Sequence, residues 1–377
     1  MIDFFTIGLL SVALMGLLAG DALLNANTLS VNISVPPTVI ERGLTREAAE
    51  HIFAAEAARL VEAPSTISAP SVRISSERNV IGVLAEPLQL GDMTAALQDL
   101  FGLQPLRVRA MLLMEEEGRQ RLVMTVSNRD LAARQVDVVR RDGDTVRLIR
   151  DGAYAAIELV SPYRVALTGF QAGLAGNAEA LERARGTLTR AVQRPMQRGR
   201  ESEFAGLLTI TGLLHLLEDD LTAAERAFLL AAEVPALTEA ARSVGDMNLA
   251  FIAIARNQPE AALAFARAAR EHAALGNIRL PSFAAHLDII EALAQWEAGE
   301  LERAAALLER AAALLPDDET AHAYLERLYG ILERPEAVAL AQRHRANSRS
   351  FAGAFPSIAA SLFWVEPGRA EVHPRLR

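Results

Sequence analysis

Histidine and carboxylate side chains are the groups in this sequence that could bind a metal ion or transfer a proton. Glu115–Glu117 form an acidic triplet, and carboxylates are ligands that Ca²⁺ and Mg²⁺ prefer. Consecutive acids before Gly118 are more typical of a solvated hairpin tip, and no converging ligand is evident elsewhere. His286 and His322 fall on different predicted helices, and no third ligand accompanies them. We therefore predict no metal site.

Two acid pairs have a structural explanation as well. Asp219-Asp220 and Asp317-Asp318 fall at predicted turns and helix starts, where a carboxylate interacts favourably with the helix N-terminus. The sequence has no glycine-rich phosphate loop, HExxH pair or GxSxG elbow. We accordingly expect no catalytic residue, no cofactor and no enzymatic activity. An unrecognised active site within 29–155 is the alternative that stays open.

The charge balance narrows the class of partner. Arginine supplies all 38 basic residues against 47 acidic ones, and the formal net charge is −9. General nucleic-acid binding requires a basic face, so we expect no nucleic-acid partner. Cysteine is absent, which excludes disulfides and thiolate metal ligands. The length of 377 residues suggests two domains plus accessory segments.

The first residues form an apolar stretch. Phe4 to Gly20 carries no charge and is just long enough to cross a bilayer as a helix. No basic residue precedes the stretch and no clean cleavage site follows it, so we expect a retained anchor, residues 1–25, rather than a cleaved signal peptide. The predicted location is the bacterial inner membrane, single-pass, with the rest of the chain in the periplasm.

Residues 29–155 alternate between strand and turn patterns. Leu29 to Val35 predicts a strand, and Thr45 predicts the start of an alanine-rich helix. Apolar runs on either side of the acidic triplet predict a β-hairpin. A second hairpin is predicted around Asp142-Gly143, with Thr145 to Ile149 as its returning strand. We expect a small α+β domain with a mainly antiparallel sheet.

Residues 156–347 have helical periodicity and a repeated pattern. In LERAAALLERAAALLP, which begins at Leu301, small and large apolar residues alternate at fixed offsets before a terminating proline. The same offsets recur around it. Corresponding alanines at 224, 261, 304 and 337 are separated by 37, 43 and 33 residues, against about 34 in an ideal tetratricopeptide repeat. The predicted repeat-defining residues are Gly212, Ala224, Phe228, Ala231, Ala261, Phe265, Ala268, Ala292, Ala304, Leu308, Ala311 and Pro316.

On these residues the segment resembles tetratricopeptide-repeat proteins. The resemblance implies an α-solenoid of stacked helical hairpins whose concave surface, built from the first helix of each hairpin, binds other proteins. An unrelated α-solenoid with longer helices is the alternative. Trp296 and Tyr329 are expected anchors, although Trp296 packing between hairpins is an equal alternative. Counting along the pattern places seven residues on or near the concave face: Asp246, His286, Ile289, Trp296, His322, Glu326 and Tyr329.

The carboxyl-terminal residues 348–377 begin with an apolar stretch and end in an extended, proline-containing tail. We expect the apolar stretch to cap the last hairpin, since open arrays need a cap for solubility. Insertion into a partner, or a position on the membrane surface, is the alternative.

These patterns together predict the fold class α+β, with an N-terminal transmembrane helix, a small antiparallel-sheet domain and a mostly α-helical solenoid. The expected function is a membrane-anchored, non-catalytic adaptor or scaffold of a bacterial envelope protein complex. Its expected partners are other proteins, and the lipid bilayer through residues 4–20, with no small-molecule substrate. The alternatives are a constitutive subunit of one membrane complex, or an envelope enzyme with its site in the α+β domain.

Overall fold

The computed structural model describes residues 29–61, 106–115, 119–127, 132–196, 198–347, 363–366 and 369–372. The described residues are mostly helical, and they include one small four-stranded sheet. The chain divides into two units, and the division along the described chain falls between Ser161 and Pro162. The sequence had placed the boundary near residue 155, which lies inside a helix of the first unit.

The first unit contains the sheet, whose strand order is β1-β2-β3-β4. Strand β1 runs parallel to β2, and the other neighbours are antiparallel. Helices α2 and α3 pack together and against the sheet. The elements are β1 (Leu29–Ser34), α1 (Pro37–Ile40), α2 (Arg46–Val61), β2 (Leu106–Met114), β3 (Gln120–Ser127), β4 (Arg134–Arg140) and α3 (Thr145–Val160).

Buried and more exposed side chains alternate along the central strands, and the buried ones form the core of this unit. Leu122, Met124 and Val126 on β3 are fully buried, whereas the residues between them are more exposed. Gly152 on α3 lies against Leu122 and Met124, so the helix approaches the sheet closely. Every second residue of the strand points to the buried face, and this face packs against a small residue of the helix.

The second predicted hairpin is wrong. The chain does not return as a strand after Asp142-Gly143 but enters helix α3 at Thr145. Asp144 is the N-cap residue, and its side chain accepts a hydrogen bond from the Arg147 N–H at 2.9 Å. After Asp144 the apolar residues continue at helical intervals as far as Val160. This longer pattern, rather than the short apolar run, determines that the segment is a helix.

The second unit is a solenoid-like series of helices. Within its described residues, ten helices form five consecutive hairpins, and each hairpin also contacts the next. The helices are α4 (Pro162–Leu174), α5 (Ala178–Val192), α6 (Glu201–Leu217), α7 (Leu221–Ala232), α8 (Glu239–Ala255), α9 (Pro259–Leu275), α10 (Pro281–Glu297), α11 (Leu301–Leu314), α12 (Glu319–Ile331) and α13 (Pro335–Asn347).

All five hairpins share one turn geometry. Three residues connect the two helices, and the middle residue has a positive φ. The N–H of the third turn residue donates to the carbonyl five residues earlier at 2.8 to 3.0 Å, the bond of a Schellman motif. The turn is therefore a repeated structural unit. Its middle residues are Gly176, Asp219, Asn257, Gly299 and Glu333.

Small residues let the two helices of a hairpin approach. A Cβ added to Gly212 on α6 would lie 2.7 Å from Phe228 Cδ1 and 2.8 Å from its Cζ. A Cβ added to Gly169 on α4 would lie 2.9 Å from the Ala180 carbonyl oxygen on α5. The first helix therefore carries its smallest residue where the second helix comes closest.

The expected fold class and location need correction. The described residues are mostly helical rather than α+β. Two of the three strand pairings in the sheet are antiparallel, and β1 joins it in parallel to β2. Among the residues that the structure describes, no helix combines the length and apolar character needed to cross a bilayer. A single-pass inner-membrane protein is therefore not supported. The predicted anchor, residues 4–20, lies outside the described residues.

The carboxyl-terminal strands β5 (Phe363–Glu366) and β6 (Arg369–Val372) pair antiparallel. Strand β5 contacts helix α8, the first helix of the third hairpin. The apolar stretch expected to cap the last hairpin lies largely outside the described residues, and its end at Phe363 and Trp364 belongs to β5.

Candidate protein-binding surface of the helical array

The first helices of the hairpins form the inside of the second unit. Every residue from Met247 to Ala255 on α8 is buried, and helices α6 and α10 are buried over most of their length. The second helices are more exposed, since α7 and α9 each bury only four residues. A first helix is thus surrounded by neighbours, whereas a second helix presents one face to solvent.

The seven residues expected on the concave face divide into two groups. His286 and Ile289 are each 1% exposed, His322 is 7% exposed and Tyr329 is 8% exposed. Asp246, Trp296 and Glu326 are half-buried, and Trp296 packs against the hydrophobic core. Four of the seven side chains are therefore enclosed by the array in this structure. Helical counting gave their positions along the helix but not the neighbours that cover them.

Tyr329 and Glu326 on α12 form hydrogen bonds to neighbouring helices of the last two hairpins. The Tyr329 hydroxyl donates to Glu309 Oε1 on α11 at 2.6 Å, and burial together with this hydrogen bond raises the pKa of Tyr329. Glu326 accepts hydrogen bonds from Gln342 at 3.0 Å and Arg345 at 2.9 Å, both on α13. Burial alone would raise the pKa of Glu326, but these bonds outweigh it and the pKa is lowered.

A group of histidines lies around Asp318. Neither ring nitrogen of His286 has a hydrogen-bond partner, and Asp318 Oδ2 has none either. The His322 Nε2 lies 3.2 Å from the Pro316 carbonyl oxygen, and its ring stacks on His344 with centroids 5.1 Å apart. Burial lowers the pKa of His286, although the Asp318 charge acts in the opposite direction. Burial, opposed by the bond to Pro316, also lowers the pKa of His322, and the charge of His344 adds to the lowering.

These histidines predict a loss of stability in acid. A histidine whose folded pKa is lowered binds fewer protons when folded, so stability is complete above about pH 6.5 and falls below it. Between about pH 7.5 and 5.5 we expect the free energy of unfolding to fall by on the order of 1 kcal/mol. Urea denaturation at each pH measures this change.

The matched variants for this test are His286→Leu and His51→Leu. His286→Leu removes a buried titrating group and flattens the pH dependence. His51 is exposed on α2, so His51→Leu leaves the dependence as it was. Equal pH dependence in His286→Leu and the parent chain would show that this residue does not control it.

A second polar cluster joins α8 to α9. His272 Nδ1 lies 2.5 Å from Glu239 Oε2, and its Nε2 lies 3.7 Å from Asp246 Oδ2. Burial raises the pKa of Asp246, and the charges of His272 and Arg242 oppose it. The imidazole links two carboxylates on the first helix of its hairpin. Across the described ranges, no group of three histidine, aspartate or glutamate side chains is arranged to hold a metal ion.

Asp288 is a buried charge that the sequence reasoning missed. Its side chain is 1% exposed, and both oxygens accept hydrogen bonds from Arg310 on α11 at 2.6 Å. Arg270 on α9 also donates to Asp288 and reaches Glu291 at 2.6 Å. The carboxylate on α10 thus connects the second helices of two successive hairpins. An aspartate among apolar residues of a predicted buried helix was the available signal.

Eight of the twelve residues predicted to define the repeat are buried in the structure. In the second and fourth hairpins these are the buried residues Gly212, Ala224, Phe228, Ala231, Ala292, Ala304, Leu308 and Ala311. Pro316 is exposed just after α11 ends. In the third hairpin the register differs by one residue. Ala261, Phe265 and Ala268 are half-buried there, whereas Ala262, Ala266 and Ala269 are fully buried.

The acid pairs prove to be partly helix caps. Asp220 accepts from the Ala223 N–H at 2.9 Å, and Asp318 accepts from the Thr320 N–H at 2.7 Å. Glu115 of the acidic triplet pairs with Arg119 at 3.0 Å, and residues 116–118 lie outside the described residues.

No protein-family model matches the chain, and no curated protein matches it significantly. The functional argument therefore depends on the geometry described above.

Proposed function

We propose that this chain is a non-catalytic adaptor or scaffold that binds another protein through its helical array. The observation that carries the proposal is the five-fold recurrence of one hairpin turn across α4 to α13. Stacked hairpins with a constant turn form an extended surface, and proteins built this way generally use it to hold partners.

We further propose that the array is of the tetratricopeptide kind. Support comes from the offsets in the sequence and from the contact of Gly212 with the Phe228 ring, which joins the small and aromatic positions of one repeat. The one-residue difference in the third hairpin fits a degenerate repeat. The partner is expected to be a protein rather than a nucleic acid, because the chain carries a net charge of −9.

Purification of the tagged chain from its own cells tests the adaptor proposal. Size separation under gentle conditions, followed by mass spectrometry, should show a second protein that co-migrates at a constant ratio. A ratio that stays fixed through every step would indicate a constitutive subunit of one assembly. A chain that elutes alone at every step, in extracts prepared with and without detergent, would contradict the proposal.

A further inference from the structure

The junction between the fourth and fifth hairpins collects histidines from three helices. His286 lies on α10, His322 on α12 and His344 on α13, and the first two face the connection, residues 315–318, that joins α11 to α12. These are three of the chain's seven histidines. Histidine is the side chain whose charge ordinarily changes between about pH 5 and 8, so mild acid acts on this junction at three places.

The surroundings of His286 and His322 favour the neutral ring. His322 Nε2–H donates to the Pro316 carbonyl oxygen at 3.2 Å, and its ring stacks on His344 with 13° between the planes. Two neutral rings can stack in this way, whereas two imidazolium rings with centroids 5.1 Å apart repel each other. His286 is 1% exposed and has no hydrogen-bond partner on either nitrogen, so a proton gained there places a charge where water does not reach.

Three acids of the surrounding helices are bonded to residues other than these histidines. The pairs are Asp288 with Arg310, Glu309 with Tyr329 and Glu326 with Arg345. Glu319 is buried beside Asp318 at the start of α12. Asp318 is the acid whose charge acts on His286 and His322, and in both cases burial outweighs its attraction. Carboxylates ordinarily titrate near about pH 4, so the histidines are the groups that gain protons between about pH 7.5 and 5.5.

The fifth hairpin, α12–α13, is the end of the described array. Its main contacts with the other hairpins are those of α12 with α11, together with hydrogen bonds from Tyr329 to Glu309 and from Arg334 to Glu302. An inner hairpin of a solenoid packs against two neighbours, whereas a terminal hairpin packs against one and separates at a lower free energy. Repulsion at this junction therefore opens the last hairpin first.

We propose that this junction is an acid-sensitive switch: as its histidines gain protons, α12 and α13 separate from α11 while the first hairpins stay folded. The switch is a property of the array itself and does not depend on the adaptor function. Separation gives water access to His286 and lets the rings of His322 and His344 move apart. The open form therefore binds more protons than the closed form, so a fall in pH drives opening and a return to neutral pH reverses it.

Hydrogen exchange of the full chain, measured by mass spectrometry at about pH 7.5 and about pH 5.5, tests the switch. Labelling times are scaled for the slower chemical exchange in acid. We expect the amides of α12 and α13 to lose protection by at least about fivefold in acid. Those of α4 and α5, a hairpin without histidine, should change by less than about twofold. Equal loss along the whole array, or no loss in α12 and α13, would overturn the proposal.

A double variant removes the titration and keeps the packing. His286→Leu puts an apolar side chain in the enclosed position, and His322→Gln can still donate to the Pro316 carbonyl oxygen. In this chain the loss of protection in α12 and α13 should shrink to less than about twofold. His215→Gln is the matched control, because His215 is half-buried on α6 beside Glu218, and it should leave the response as it is. An undiminished response in the double variant would contradict the switch.

A third variant serves if the double variant does not fold. His344 is exposed on α13, and His344→Phe keeps a ring for the stack on His322 but cannot become charged. The loss of protection in acid should then fall by at least about twofold. The same loss as in the parent chain would overturn the proposal. None of these results bears on whether a partner co-purifies with the chain, so the switch and the adaptor function fail separately.

Discussion

Replacing Arg270 and Arg310 together with methionine is expected to lower the free energy of unfolding by about 3–5 kcal/mol. Asp288 is 1% exposed, and these two arginines supply its cations from α9 and α11. Without them a carboxylate stays buried with no compensating charge, and the helices on either side of α10 lose their connection. Urea denaturation followed by circular dichroism measures the change.

Each single replacement should cost less than half of the double replacement. One guanidinium still faces the carboxylate in either single variant, so the two effects are not additive. Arg267 and Arg303 are the matched controls: they are exposed on the same two helices, and the structure shows no ion pair for either within its described residues. Their double replacement with methionine should change stability by less than about 0.5 kcal/mol. Comparable losses in both double variants would refute the role of Asp288.

Gly212→Ala is expected to destabilise the array by about 1–3 kcal/mol. The added methyl group would overlap the Phe228 ring, which is completely buried and cannot move without disturbing α7. Thermal and urea unfolding measure the loss.

Gly330→Ala is the matched control for this prediction. Gly330 lies in helix α12 with nothing within 4 Å of an added Cβ. Alanine there should stabilise the chain by about 0.5–1 kcal/mol, because glycine has the lower helix propensity. In a Phe228→Leu chain the smaller side chain relieves the overlap, and the cost of Gly212→Ala should largely disappear. An undiminished cost in that chain would mean that the contact with Phe228 is not its cause.

The helical hairpins could be predicted from the sequence because the residues that form their turns and helix contacts are close together in the chain. Glycine at 299 and the acid pair at 219–220 indicated turns, and the turns lie there. In the structure Gly212 on α6 faces the Phe228 ring on α7, and both helices are long and regular. Repeated small and large residues determine which sides of two adjacent helices meet.

The errors came from long-range contacts. The strand pattern at Thr145 to Ile149 was short, and the helix that it begins became evident only from the spacing up to Val160. The parallel pairing of β1 with β2 joins residues that are far apart in the chain, so no local sequence pattern predicts it. In the third hairpin a run of alanines satisfies two registers equally, and packing selects the one that buries Ala262.

The candidate surface was the least predictable feature. His286 and Ile289 lie on a first helix and are buried there, and that burial depends on the neighbouring hairpins. The same limitation hid Asp288, because its two arginines come from separate hairpins. Sequence spacing therefore predicts the order of the helices. Tertiary packing decides which of their residues stay accessible.

Site-directed photo-crosslinking tests the central claim most directly. The chain has no cysteine, so one introduced cysteine carries a benzophenone label at a single position. Exposed positions Arg242 on α8 and Arg327 on α12, both first helices, represent the array, and exposed Arg109 and Thr125 represent the sheet of the first unit. In extracts of the native cells, we predict crosslinks to one and the same protein from the array positions and none from the sheet positions. Crosslinks from the sheet positions alone would contradict the account and move the search for a binding surface to the first unit.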